Sequence, residues 1–300
     1  MSKQDICQEI TDKIIRVLDD LDLADYEAPF AGLAAQGWPC NPTTDHRYQG
    51  INVPSLWIDQ QEKKFTSNQW ATFRQWKEKG ASVRKGEKGS PIIFYKTLTR
   101  TEENENGDEE ESKIPLMRFY TVFNAAQVDG YEHHDGPAPN ETDLVTRIES
   151  ADRFCANTGA DIRHGSGDAY YHRTGDFINM PATIAFVDTK HASATENYYA
   201  TLLHELTHWT GAPSRLERDK AQSRKEIDKY AFEELIAELG AAFLCCQLAI
   251  VQTPRDDHAL YIKSWLAALK DDKRFIFRAS AQAAKAVDFL NASQDGGGAS

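Results

Sequence analysis

Residues 201–216 read TLLHELTHWTGAPSRL, in which two histidines stand four apart and a glutamate follows the first. On a helix, that spacing projects His204 and His208 from one face, one turn apart. Two imidazoles so placed can hold one Zn²⁺ side by side, and the Glu205 carboxylate lies a little way around the cylinder. Zn²⁺ acidifies a water toward neutral pH, and a neighbouring carboxylate takes the proton. The chemistry expected of these residues is water activation for attack on a carbonyl.

A third ligand should follow downstream. One metalloprotease pattern places a third histidine after HExxHxxGxx; Gly211 matches the glycine, but the ligand position is Ser214, a poor donor for zinc. Another pattern takes a glutamate from a second helix, and residues 229–244, KYAFEELIAELGAAFL, offer one. Phe232, Leu235, Ile236, Leu239 and Phe243 make an apolar stripe, among which Glu233, Glu234 and Glu238 stand out. Glu234 and Glu238 share a face. Glu234 is expected as the ligand and Glu238 as the partner that orients a ligating histidine, with Glu233 or a swapped Glu238 as alternatives. Ala237, Gly240, Ala241 and Ala242 would let this helix approach the first closely.

Several elements must position these groups. The run from Thr195 to Trp209 lacks Gly and Pro, with Tyr199, Leu202, Leu203 and Leu206 at helical spacing. Ser193 or Thr195 caps its start, and Gly211 with Pro213 stops it. Residues 168–181, DAYYHRTGDFINMP, read as a hairpin turning at Thr174 and Gly175. Its DFINM run is expected as an edge strand beside the metal, where substrate backbone could pair; His172 is expected at the surface.

The first half reads differently. Residues 4–21 place Ile6, Ile10, Ile14 and Leu18 on one helical stripe. Residues 56–81 begin apolar and become a helix capped near Thr66 or Ser67 and stopped by Gly80. The runs 83–100 and 113–128 are expected to pair as strands across an acidic, disordered loop at about residues 101–113. The Pro/Gly stretch HHDGPAPNE, residues 133–141, reads as a linker, and a new helix begins after a cap at Thr142 or Asp143. The expected organisation is α+β, with domains over residues 1–137 and 138–290 and a flexible tail over 291–300.

At 300 residues and 41% apolar content the chain can build packed cores, and no run of 18 apolar residues suggests a membrane span. The N-terminal MSKQDICQEI lacks a signal peptide's apolar stretch. Five cysteines with no CxxC suggest reduced thiols in a cytoplasmic protein and argue against thiolate zinc ligation.

The net charge of −12 is unevenly spread: residues 63–100 hold ten basic residues against two acids. Such a segment can follow phosphates while aromatic faces stack on bases. Trp38, Tyr48 and Trp76 are candidates for exposed stacking, whereas Trp70, Phe73 and Ile92–Phe94 are expected in the core. Arg84, Lys85 and Lys88 in VRKGEKG, where glycines let backbone amides approach phosphate, are the stronger signal, with Arg74 and Lys77 on the preceding helix.

YQGINVPSLW, FTSNQWATFRQWKEKGASVRKGEKGSPIIFYK and FYTVFNAAQVDG resemble the N-terminal domain of ArdC-type antirestriction proteins, a domain also found in plasmid TraC primases. LLHELTHWTGAPSRL and YAFEELIAELGAAFL resemble the zincin-like metallopeptidase domain that follows it in that family. The resemblance implies single-stranded DNA binding, protection of incoming conjugative DNA from host restriction, and a protease domain similar to those acting on DNA-bound proteins. The expected cofactor is Zn²⁺, with Mn²⁺ or another divalent ion as an alternative; the expected partners are single-stranded DNA and an unidentified host protein. The rival expectation is a DNA-binding antirestriction factor whose metal only holds the fold.

Overall fold

The computed structural model describes residues 3–19, 33, 36–103, 109–132, 144–165, 167–189, 192–218, 226–250 and 258–295. The fold is α+β. Helix α1 (Lys3–Asp19) buries Ile10, Ile14 and Leu18, the stripe its sequence shows. A short hairpin of β1 (Cys40–Asn41) and β2 (His46–Arg47) leads into α2 (Asn52–Glu62). Strand β3 (Trp70–Thr72) then runs directly into α3 (Phe73–Glu78).

That helix is not capped at Thr66 or Ser67. Thr72 is its N-cap, and Thr72 and Gln75 form a reciprocal capping box. Three Ser/Thr residues in seven positions have similar capping propensity, and strand pairing of Trp70 with Asn124 decides which one serves. Gly80 does end the segment, with φ +83°.

Strands β5 (Ser90–Glu103) and β6 (Glu109–Asn124) pair antiparallel from Ser90↔Val122 out to Glu103↔Glu109. The acidic stretch expected as a disordered loop is therefore mostly ladder. A run of charges excludes a packed core, but backbone N–H and C=O groups pair whatever side chains they carry. The sheet order is β3-β6-β5, with β5 on its outer edge. A separate pair, β4 (Ser82–Val83) with β7 (Val128–Asp129), closes the turn that carries Lys85.

The second half opens with α4 (Leu144–Asn157); Thr142, Asp143 and the expected boundary near 137 lie outside the described residues. Strands β8 (Asp161–Gly165), β9 (Tyr170–His172) and β10 (Phe177–Pro181) follow. The hairpin expected over 168–181 is present, but its order is β8-β10-β9. The DFINM strand is central, paired parallel to β8 and antiparallel to β9, so no edge of it is free for substrate. The parallel partner arrives from residues 161–165, a non-local pairing that the hairpin pattern cannot show.

Among the described residues four further helices follow: α5 (Ala194–Trp209), α6 (Glu226–Leu248), α7 (His258–Asp271) and α8 (Phe275–Asp295). One hydrophobic cluster spans both halves, joining Ile10 and Trp57 to Leu206, Phe243 and Leu290. The rings of Trp38 and Trp57 lie 5.6 and 5.9 Å from Phe243 of α6. Lys13 of α1 is buried in an ion pair with Asp59, at 2.7 Å.

Candidate functional site

Helix α5 is fixed at its start by Ser193, whose hydroxyl accepts the Glu196 N–H while the Glu196 carboxylate accepts the Ser193 N–H. It ends in a Thr210 C-cap ahead of Gly211. Helix α6 lies against it at Gly240, where a Cβ would stand 2.5 Å from Thr207 Cγ2. This close approach carries Glu233, Glu234 and Glu238 to the histidine face of α5.

The Nε2 atoms of His204 and His208 face each other at 3.1 Å. Glu234 Oε2 is 3.5 Å from His204 Nε2, and Glu234 Oε1 is 3.5 Å from His208 Nε2. Among the described residues, His204, His208 and Glu234 form the one set of three with donor atoms all within 4.8 Å of one another. Two nitrogens that each sit 2.0–2.1 Å from a tetrahedral Zn²⁺ stand about 3.3 Å apart, so the separations fit a single small cation. Glu205, on the turn between the histidines, is 2% exposed.

The outer nitrogens are backed by carboxylates. Glu238 Oε2 lies 3.8 Å from His204 Nδ1, and Glu233 Oε1 lies 3.3 Å from His208 Nδ1. Glu233 is thus behind a histidine, while Glu234 is in front of both. Arg218, absent from the sequence reading, is 2% exposed and sends Nε to the two Glu233 oxygens at 3.2 and 3.1 Å. Its Nη1 donates to Thr210 Oγ1 and its Nη2 to the Thr207 carbonyl. The signal available in the sequence was Gly211, whose missing Cβ leaves room 2.7 Å from the Arg218 guanidinium. His172 is exposed, its Nδ1 accepting the Gly175 N–H, and it stands outside the three-donor set.

Burial alone would drive the proton off His208, but Glu234 and its neighbours reverse this and raise its pKa to about 10. Burial opposes the charged form of Glu233, yet His208 and Arg218 hold it down at about 2. Glu234 is held well below the usual carboxylate range, burial being outweighed by the two histidines. Four glutamates against one arginine are buried around two imidazoles, an excess of negative charge that a divalent cation largely offsets. A cleft of about 30 Å³ beside His208, lined by Tyr171, Arg173 and Gly211 among others, has room for water but not for a large side chain.

The basic segment is exposed at Arg74, Lys77, Arg84, Lys85 and Lys88. Arg74 pairs with Glu78 at 2.8 Å. Arg84 is tied down, pairing with Glu87 and donating to the carbonyls of Ala126 and Val128. Of the stacking candidates, Trp76 is corrected, while Trp38 and Tyr48 are half-buried. Trp76 is fully buried and donates to the Phe123 carbonyl. Trp38 packs on Phe243 and donates to the Tyr48 carbonyl, and the Tyr48 hydroxyl donates to the Trp70 carbonyl. Each aromatic body fills core while its polar tip finds a backbone partner. Phe73 and Phe94, expected inside, are 56% and 51% exposed.

Residues 4–123 match the N-terminal domain of anti-restriction factor ArdC, and residues 149–282 match a zincin-like metallopeptidase family. The uncharacterized protein y4eC of Sinorhizobium fredii (strain NBRC 101917 / NGR234) is 40% identical over 295 residues, 97% of this chain and 92% of that protein. A DNA primase TraC of Escherichia coli is 37% identical across 96% of this chain, which corresponds to 27% of the primase. The metal-free crystal structure of antirestriction protein ArdC from plasmid R388 superposes with TM-score 0.76 at 42% identity, covering 96% of this chain and 97% of that one. Its Mn(II)-bound structure gives 0.75 at 41% identity, covering 97% and 98%. The zincin-like domain and a relative solved with a bound metal support a divalent ion in this protein. With both halves matched in order and a solved relative covered almost end to end, this chain belongs to the ArdC family of antirestriction proteins.

Proposed function

We propose that this protein protects incoming plasmid DNA from host restriction by binding it as single strands, and that its second half is a metal-dependent peptidase acting on DNA-bound host protein. The observation that carries the peptidase reading is the convergence of His204, His208 and Glu234, with Glu205 buried on the turn between the two histidines. A divalent metal held by those three, Zn²⁺ first and Mn²⁺ as the alternative, supplies Lewis acidity toward a water and a peptide carbonyl. Glu205 accepts the proton of that water and returns it to the leaving nitrogen. Glu233, 3.3 Å from the outer nitrogen of His208, fixes that ring, and Glu238, 3.8 Å from the outer nitrogen of His204, is placed to orient the other. The basic residues of the first half, Lys85 and Lys88 foremost, meet the phosphates.

A second reading has its own support. Strand β10 is paired with β8 and β9, so the strand expected to pair with substrate backbone is already taken up. In that reading DNA binding alone blocks endonucleases, and the metal holds the fold. Glu205→Ala divides the two. Metal content and DNA affinity are expected to stay unchanged, while any peptide hydrolysis falls by about 10²–10⁴-fold. We expect protection against restriction to survive. Loss of protection with intact DNA binding would make proteolysis the mechanism instead.

A further inference from the structure

Between the outer strand of the first sheet and the last helix lies a groove of about 1040 Å³. Eight large apolar or aromatic side chains are exposed among the described residues, and three of them, Phe94, Tyr95 and Tyr120, line this groove. The clustering matters, because scattered exposed apolar residues are ordinary and a patch is not. Its far wall is α8, which contributes Phe277 and Lys285.

The ladder pairs Ile92 with Tyr120 and Phe94 with Arg118, so these four side chains share one face of the sheet. The Phe94 and Tyr120 rings meet edge to face at 6.5 Å, which leaves ring faces open. Exposed cations surround them: Arg47 and Arg74 from the first half, Lys285 from α8, and Arg118 beside Phe94. Two acids reach the groove, Glu78, which Arg74 engages, and Asp288. The sheet edge is occupied at Ile93, where it faces the groove. The Asn52 side chain donates to the Ile93 carbonyl at 2.7 Å and accepts the Ile93 N–H at 2.8 Å, occupying the position where an added peptide strand would pair. What the groove offers is aromatic faces and cations, the combination that holds a single strand through stacked bases and neutralised phosphates.

We propose that single-stranded DNA lies in this groove, with bases stacked on Phe94 and Tyr120 and phosphates at Arg47, Arg118 and Lys285. The DNA site is then built by both halves of the chain, because α8, whose first two turns fall within the match to the metallopeptidase family and whose Lys285 lies just beyond it, forms one wall. This rests on the single-stranded DNA reading above and gives it a location that excludes the buried Trp76 and includes Tyr48, which lines the groove.

The test is anisotropy of a fluorescein-labelled 20-nucleotide oligothymidylate titrated with the full-length protein. Phe94→Ala with Tyr120→Ala should weaken binding by roughly 30-fold or more, as expected for losing two stacked bases, while Phe94→Tyr with Tyr120→Phe should restore it. Lys285→Glu should weaken binding and lower the slope of log K against log salt by about one. Metal content and circular dichroism should match the wild type in all three. If the wild type binds and both the double alanine variant and Lys285→Glu bind equally well, the groove assignment is overturned and the DNA-binding function stands. If the wild type does not bind the oligonucleotide, both fall together.

Discussion

Arg218 and Glu233 form a buried ion pair, the guanidinium meeting both carboxylate oxygens, and through Glu233 the pair reaches His208 Nδ1 at 3.3 Å. The arginine thus sets the orientation of a histidine ring it does not touch; of His208, its Nη2 reaches only the carbonyl, at 3.3 Å. Arg218→Met should leave Glu233 buried without its two-pronged partner, at a cost of about 3–5 kcal/mol in chemical denaturation. Metal affinity should also fall, by about 10- to 100-fold. Arg218→Lys should recover only part of either, since one ammonium cannot reproduce the two-pronged contact. Wild-type metal affinity in Arg218→Met would remove Arg218 from any role in positioning the site.

The glutamates of α6 should rank by where they stand. Glu234 faces both Nε2 atoms, so Glu234→Ala and His208→Ala should each lose the metal, as read by elemental analysis after dialysis. Glu233→Ala should weaken metal binding without abolishing it. The reverse order would mean that Glu233 is the ligand.

Gly240 sits where the two site helices touch. In an exposed helix, Gly→Ala stabilises by about 0.5–1 kcal/mol. Here the added methyl meets Thr207 Cγ2 at 2.5 Å, and overpacking of about 1–3 kcal/mol outweighs that gain. Gly240→Ala should therefore lower the melting temperature, and adding Thr207→Ala should recover part of the loss. An increase in melting temperature for the single variant would show that the helices separate freely.

Within the basic turn the three cations should not behave alike. Lys85→Glu and Lys88→Glu should weaken oligothymidylate binding and its salt dependence with little change in stability. Arg84→Glu should also destabilise the protein, because Arg84 holds the Ala126 and Val128 carbonyls and pairs with Glu87. Equal stability of all three variants in denaturant titrations would contradict this division.

The site was more legible in the sequence than the fold around it. His204, Glu205 and His208 follow from a period inside one helix, and Glu234 from a polar break in an apolar stripe, both local patterns. What escaped depends on pairings between distant segments. β10 is central because residues 161–165 pair with it, and the DFINM run carries no trace of that partner. Trp38, Tyr48 and Trp76 have the same composition whether they stack on bases or fill a core, and only the carbonyls at Tyr48, Trp70 and Phe123 settle which. Arg218 reads as a solvated charge in a polar stretch until Glu233, fifteen residues on, supplies its partner.

Phe243 packed between Trp38 and Trp57 constrains how this lineage can recombine. A substitution at that phenylalanine changes the fit of two indoles encoded some two hundred codons upstream, so the gene's ends must drift in step. A hybrid joining the front of one relative to the back of another would inherit a mismatched contact there. Transfer of the entire stretch as one cassette avoids it; the E. coli primase matches 96% of this chain within about a quarter of its own length.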